Sequence, residues 1–255
     1  MGLLQHTFAL KSGIYQEYSG KEMKNALKKT VFNLIDKAFT SKCYVLGVRT
    51  WKPSGMYEID IHMPGTDMHK WSSIQRVKCK VGAYGEYRDY TPAYWDAEKR
   101  ICTLFIETEH QGSGSSWARN LEVGEKILLA VAHAAPLPAK PGKIVCFGDG
   151  SALGHFLALK QLTDRKYCNF EAFVFFNEEY TLPEYFSLEN PEFKFVMKVG
   201  GDSLKSLLEC SEGKMLQDYT SIYITGYIPM VSGLRKEFKK IPNLNAKIFA
   251  HGFWS

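Results

Sequence analysis

The sequence predicts a two-domain β plus α/β protein: a small antiparallel β-barrel followed by a unit built on a parallel sheet. Three observations predict it. From residue 43 to 130 the apolar residues come in short β-rich runs broken by glycine and proline, after residue 142 strand-like and helix-like runs alternate, and a proline-rich connector lies between. At 255 residues the chain can hold two domains of roughly 100 to 150 residues, each with its own core.

The elements follow in order. Met23, Ala26, Leu27, Val31, Leu34, Ile35 and Ala38 recur at helical spacing among lysines, which predicts an amphipathic N-terminal extension within residues 1–40. Runs at 43–50, 57–63, 76–81, 101–107 and 126–130 read as barrel strands, giving a first domain over 41–135. Residues 134–142 hold three prolines and a glycine and form the connector. The second domain, 142–255, reads as strands at 143–147, 170–176, 193–199, 221–226 and 247–251, with helices at 152–162, 203–208 and 230–239. Strand and helix in alternation require crossovers, hence parallel pairing.

Composition narrows the function. Hydrophobic residues at 45% and charged residues at 23% are ordinary for a globular chain. The net charge of +5 is spread along the sequence, so no basic stripe for nucleic acid is expected. No apolar run reaches the ~18 residues of a membrane span, and the first residues lack the pattern of a secretory signal. A cytoplasmic protein without membrane insertion is the expectation. Six cysteines stand singly, mostly inside apolar runs, which suits buried thiols in a reducing compartment.

Two stretches carry candidate chemistry. Arg88-Asp-Tyr-Thr-Pro92 in extended conformation puts Arg88 and Tyr90 on one face, where a guanidinium can hold a diphosphate and a tyrosine can pack on a planar ring. A surface strand whose tyrosine merely packs on the barrel is the competing reading. His110-Gln-Gly-Ser-Gly-Ser-Ser-Trp-Ala118 places glycines and serines before a helix, where free amides and the positive helix end can meet a phosphate. An ordinary helix cap explains the same residues.

Together, in this order, the two stretches resemble the siderophore-interacting proteins of the ferredoxin-reductase superfamily. That family shows an Arg-x-Tyr-Thr segment, a glycine-rich turn before Trp-Ala, a Pro-Gly-Asp-like turn, a Gly-Asp-Glu-Thr-Ala turn and a Gly-aromatic-Trp ending. The counterparts here are Arg88 to Thr91, His110 to Ala118, Val123 to Glu125, Gly148 to Ala152 and Gly252 to Trp254. The resemblance spans residues 43 to 255 and implies FAD on the barrel and NADH or NADPH as co-substrate on the parallel sheet. It implies that Arg88 neutralises the FAD diphosphate, Tyr90 lies against the flavin ring and Thr91 stands near its reactive edge. Gly112, Gly114, Ser115 and Ser116 would serve the diphosphate, His110 would hold that loop, Gly148, Asp149 and Ser151 would open the dinucleotide site, and Trp254 would approach the flavin.

The implied activity is an FAD-dependent ferric-siderophore reductase, passing electrons from NAD(P)H to an Fe(III) chelate. A ferredoxin-type donor, or a binding module without turnover, fits the same fold. Ser113 stands where the family often has proline, and Gly150-Ser151 replaces Glu-Thr. The Gly148 turn departs from G-x-G-x-x-G because its third glycine comes one residue late, at Gly154. Glu178 and Glu179 follow the second strand of this domain, where carboxylates oppose a 2′-phosphate and lean towards NADH; a solvated loop is the competing reading. Lys52, Arg235, Lys236 and Lys239 are the cations proposed for an anionic siderophore. His62 and His69, with Asp60 and Asp67 nearby, do not complete a metal-ligand set.

Overall fold

The computed structural model describes residues 41–53, 55–82, 85–163 and 169–255, so the amphipathic extension expected within residues 1–40 and Cys168 lie outside the described residues. Seven antiparallel strands form the first sheet: β1 (Ser41–Thr50), β2 (Met56–His62), β3 (Ile74–Lys80), β4 (Tyr87–Tyr90), β5 (Pro92–Asp96), β6 (Ile101–Glu107) and β7 (Lys126–Ala135). Their spatial order is β4-β3-β7-β1-β2-β6-β5. Alternate residues point inward, and Val45, Ile59, Ile61, Val77, Cys79, Leu104, Ile106 and Leu129 make the barrel core. Helix α1 (Ser113–Asn120) closes one end by inserting Ala118 into that core.

Strands β4 and β5 occupy opposite edges of this sheet, yet Thr91 alone separates them in the chain. The sheet must therefore curl until its edges meet at Thr91. The 92–96 strand is absent from the sequence-based expectation because it opens with proline, which a central strand would not accept; as the first residue of an edge strand, Pro92 costs no ladder bond.

The second sheet is parallel throughout: β8 (Ile144–Asp149), β9 (Phe170–Phe176), β10 (Phe193–Met197), β11 (Ser221–Tyr227) and β12 (Lys247–Trp254), in the order β10-β9-β8-β11-β12. The fold is the one the alternating runs predict. Every residue of β8 is buried, as a strand covered on both faces requires. Helices α4 (Ser203–Glu212) and α5 (Ile228–Phe238) cover one face through Leu207, Met230, Val231 and Leu234. Helix α2 (Leu153–Thr163) lies on the other face, against the barrel. A short helix α3 (Glu184–Glu189), too brief to show periodicity in the sequence, adds Phe186 to the junction.

That junction is a single apolar core shared by the two sheets, running from Trp51 and Phe105 through Phe156 and Leu157 to Phe176 and Tyr223. Trp51 sits at its centre, with ring centroids 5.0 Å from Phe186 and 6.1 Å from each of Phe105, Phe176 and Tyr180. Its Nε1 donates to the buried Glu58 carboxylate at 2.5 Å, and Arg49 Nε donates to the other oxygen at 3.2 Å. The chain after β9 is stitched to the barrel as well: Thr181 N donates to Lys52 O at 2.7 Å, and the Tyr180 hydroxyl donates to Glu109.

Removing the central ring leaves a void reaching both sheets. Trp51→Ala is expected to cost about 3–5 kcal/mol, read from urea unfolding, because the transfer and cavity contributions add. A loss below about 1 kcal/mol would mean that the two units do not share this core.

Candidate functional site

On β4, Arg88 pairs with Cys79 and Tyr90 with Val77, so both side chains lie on the inward face at the sheet edge. Tyr90 is packed on Trp117 of α1, centroids 5.9 Å apart and planes 16° apart. Gly114, in the first turn of α1, passes so close that a Cβ would stand 2.5 Å from Tyr90 Oη and 3.2 Å from Arg88 Cγ. The two sequence stretches are thus brought together at one corner. Gly112 caps α1 in extended conformation without a side-chain hydrogen bond, and open space surrounds it. Ser115 is buried and Ser116 exposed on the same turn, while the buried Ser113 hydroxyl lacks a partner. Arg88 is half-exposed, its Nη1 donating to Tyr87 O at 2.8 Å. A half-exposed guanidinium, 3.7 Å from the Glu86 carboxylate, and a helix start without a side-chain cap therefore lie side by side.

Thr91, buried at the joint, sets its carbonyl oxygen 2.9 Å from where a Cβ on Gly154 would stand. The start of α2 docks there. Just before it, the end of β8 faces the end of β11 at the point where the strand order reverses, the position at which open α/β sheets receive ligands. Asp149 fills that crevice. Its Oδ1 accepts from Ser151 N at 3.1 Å and Ser151 Oγ at 2.5 Å, and its Oδ2 accepts from Tyr227 N at 2.7 Å. Gly226 makes this possible: at φ +125 the chain adopts a conformation that favours glycine, and a side chain there would strike the Asp149 carboxylate. Gly148 is equally tight, against Thr225 O and Ala152.

Trp254 completes the seam. Its Nε1 donates to Ser151 Oγ at 3.2 Å, and its ring rests against Tyr227 at 4.4 Å and His110 at 3.9 Å. His110 thus joins the loop after β6 to the C-terminal strand. Beneath it lies Glu107, whose buried carboxylate is 3.8 Å from His110 Nε2.

No protein-family model matches the sequence, and no curated relative does. Solved structures do match. A siderophore-interacting protein from Acinetobacter baumannii superposes with a TM-score of 0.63 at 15% identity, covering 84% of this chain and 90% of that one. The siderophore-interacting protein SipS from Aeromonas hydrophila gives 0.62 at 13% identity, covering 85% and 91%. A ferredoxin NADP+ reductase from Neisseria gonorrhoeae with bound FAD and NADP gives 0.58 at 15% identity, covering 84% and 98%. This chain has the fold of the siderophore-interacting proteins and ferredoxin reductases.

Within that reductase-like fold the expected residues fall into two stations. Arg88, Tyr90, Gly112, Gly114, Ser115 and Ser116 form the corner at α1, and Gly148, Asp149, Ser151, Trp254 and His110 form the seam, with Thr91 between. Lys52 is exposed at the sheet junction, and Glu178 and Glu179 are exposed just after β9. Arg235 and Lys236 lie in the last turn of α5, with Lys239 at its C-cap, which by the rise of the helix puts them about 10–17 Å from the crevice where α5 begins. Among the described residues, no group of three His, Cys, Asp or Glu side chains could hold a metal, and no helix is long and apolar enough to cross a membrane.

Sequence reasoning passed over Glu107. It is the third member of the alternation Thr103, Phe105, Glu107, the face of β6 that meets the second sheet, and an acid closing such a face is a readable signal. His155 of α2 points into the interior. It is fully buried with neither ring nitrogen hydrogen-bonded, its centroid 5.6 Å from His251 and 5.9 Å from Phe253, over which Arg76 lies.

Burial, reinforced by His251 and Arg76, pushes His155 from its ordinary 6.5 down to about 3, and burial lowers His251 as well. A depressed histidine stays neutral in the native state while the unfolded chain takes up a proton, so stability falls as pH drops from about 6.5 towards 3. For His155 alone the slope approaches about 1.4 kcal/mol per pH unit. His155→Leu is expected to flatten this acid limb in urea unfolding series, whereas an unchanged slope would show that the imidazole titrates freely.

Proposed function

We propose that the chain is an FAD-dependent oxidoreductase that takes electrons from NAD(P)H and passes them to a ferric chelate such as a ferric siderophore. The observation that carries this reading is the convergence of Arg88, Tyr90 and the Gly114 helix start at the edge joint of the barrel, directly beside the crevice of a parallel sheet. The residues present fit FAD. The corner offers a guanidinium, uncapped amides, an orphaned Ser113 hydroxyl and glycine surfaces that a Cβ would fill, which suits a diphosphate.

In this reading Arg88 and the amides at Gly112 to Ser115 bind the diphosphate, and Tyr90, held by Trp117, supports the ring. Thr91 presents its hydroxyl at the reacting edge, and Trp254 excludes water from the seam. FAD, when bound, supplies the exchange between two-electron and one-electron chemistry. Reduction of the metal weakens a hard-oxygen chelate built for Fe(III), which frees the iron as Fe(II). Exposed Lys52 at the junction of the sheets suits an anionic chelate better than Arg235, Lys236 and Lys239 at the far end of α5. Exposed Glu178 and Glu179 after β9 favour NADH over NADPH. A reducing, cytoplasmic setting suits the five described cysteines, all free thiols.

One observation favours a second reading, reduction by a ferredoxin-type protein. Asp149 puts a carboxylate in the crevice and claims amides that a dinucleotide diphosphate would use. The deciding measurement is the visible absorption of FAD-reconstituted protein under anaerobic NADH or NADPH. Bleaching that a ferric chelate reverses is expected; bands that bleach only with a reduced ferredoxin would select the second reading, and no flavin uptake would overturn both. Arg88→Met should raise the Kd for FAD at least about tenfold, because a charge-assisted hydrogen bond is worth ~1.5–3 kcal/mol. Equilibrium titration of flavin fluorescence measures it.

A further inference from the structure

Glu107 ends β6 on the face opposite to Cys102, Leu104 and Ile106, so its side chain leaves the barrel core and crosses to the second sheet. There its Oε1 lies 2.5 Å from where a Cβ on Gly150 would stand, and the side chain is only 5% exposed. Gly150 opens the turn after β8, and Gly154, one turn further on, touches the Thr91 carbonyl. A helical turn rises about 5.4 Å, which puts the carboxyl close to the joint of the barrel. His110 stands 3.8 Å away with 43% of its side chain exposed, and its Nε2 has no hydrogen-bond partner. A carboxyl inside, an imidazole beside it and solvent beyond form a path.

We propose that Glu107 takes the proton left over when a hydride donor is oxidised at this seam and its electrons leave singly, and that His110 hands this proton to solvent. The inference rests on the oxidoreductase reading above. Oxidation of one NAD(P)H by two Fe(III) yields NAD(P)+, two Fe(II) and one proton: the donor C–H bond breaks, its electron pair reduces two metal ions, and the proton must leave. It moves to a Glu107 oxygen and then to the buried His110 Nε2, while the imidazole releases its other proton, from Nδ1, to water.

The surroundings suit the task. Buried Asp149 faces Glu107 from the end of β8, and Glu109 faces it from its own segment, itself bonded to Tyr180 with Glu178 nearby. Burial first, then the Asp149 and Glu109 carboxylates, hold Glu107 at about 7 against the pull of His110. The Glu107 carboxylate in turn raises His110 above its ordinary 6.5. An acid poised near neutrality both accepts and releases protons with little cost.

The test uses Glu107→Gln, which keeps the shape and removes the titration. In cofactor-free protein, the imidazole NMR titration of His110 should shift to lower pH in Glu107→Gln; an unmoved titration overturns the pair. In FAD-loaded protein, ferric-chelate reduction should rise with pH through about 7 in the parent and become pH-independent and about 100-fold slower in the variant, the usual scale of general-base loss. Bound flavin with an unchanged pH profile overturns the proton role alone. Absence of flavin binding removes the oxidoreductase reading and the proton role together, and the NMR arm then reports only on the pair. His110→Gln provides an independent check: it should slow turnover and be rescued by added imidazole, and failure of rescue counts against the relay.

Discussion

Because the strands at the two edges of the seven-stranded sheet are consecutive in the chain, the barrel is closed covalently at Thr91. Nearly every feature of the candidate site follows from that closure. It fixes the register that turns Arg88 and Tyr90 towards α1, and it presents a carbonyl against which Gly154 of α2 can seat. The seat positions the turn at Gly148 to Ala152, and that turn positions Ser151 for Trp254. A one-residue slip in β4 would send Arg88 and Tyr90 to the opposite face and dissolve the corner.

Much of this was legible in the sequence because the relevant signals are local. Apolar alternation marked the barrel strands, continuous apolar runs marked the parallel ones, and proline at 136, 138 and 141 marked the passage between the sheets. Pro92 hid β5, since a proline argues against a strand unless the strand is known to lie at an edge. Glu107, His155 and Arg76 were hidden for a different reason. Each draws its meaning from neighbours supplied by distant segments, the Gly150 turn for the first and the C-terminal strand for the other two. Burial and partnership of that kind are properties of the assembled seam.

Electrostatically the seam is divided. On one side Glu107, Glu109 and Asp149 gather negative charge around a single imidazole; on the other Arg76 faces two histidines that burial keeps neutral. Asp149 serves as a local brace, tying β8 to β11 through Tyr227 N, and the same bonds occupy a place where phosphate-binding turns leave their amides free. One carboxylate therefore sets both the rigidity of the crevice and its tolerance for anions.

The core that Trp51 shares between the two sheets, with the stitch of Thr181 to Lys52, has a consequence for access. Two units fused through a common interior cannot swing apart to admit a bulky guest and close over it. A reactant must come to a mouth whose outline already exists, so discrimination among acceptors is settled by what fits the rim. For the large ferric chelate of the proposed reading, only one edge need come near the opening while the bulk stays in water.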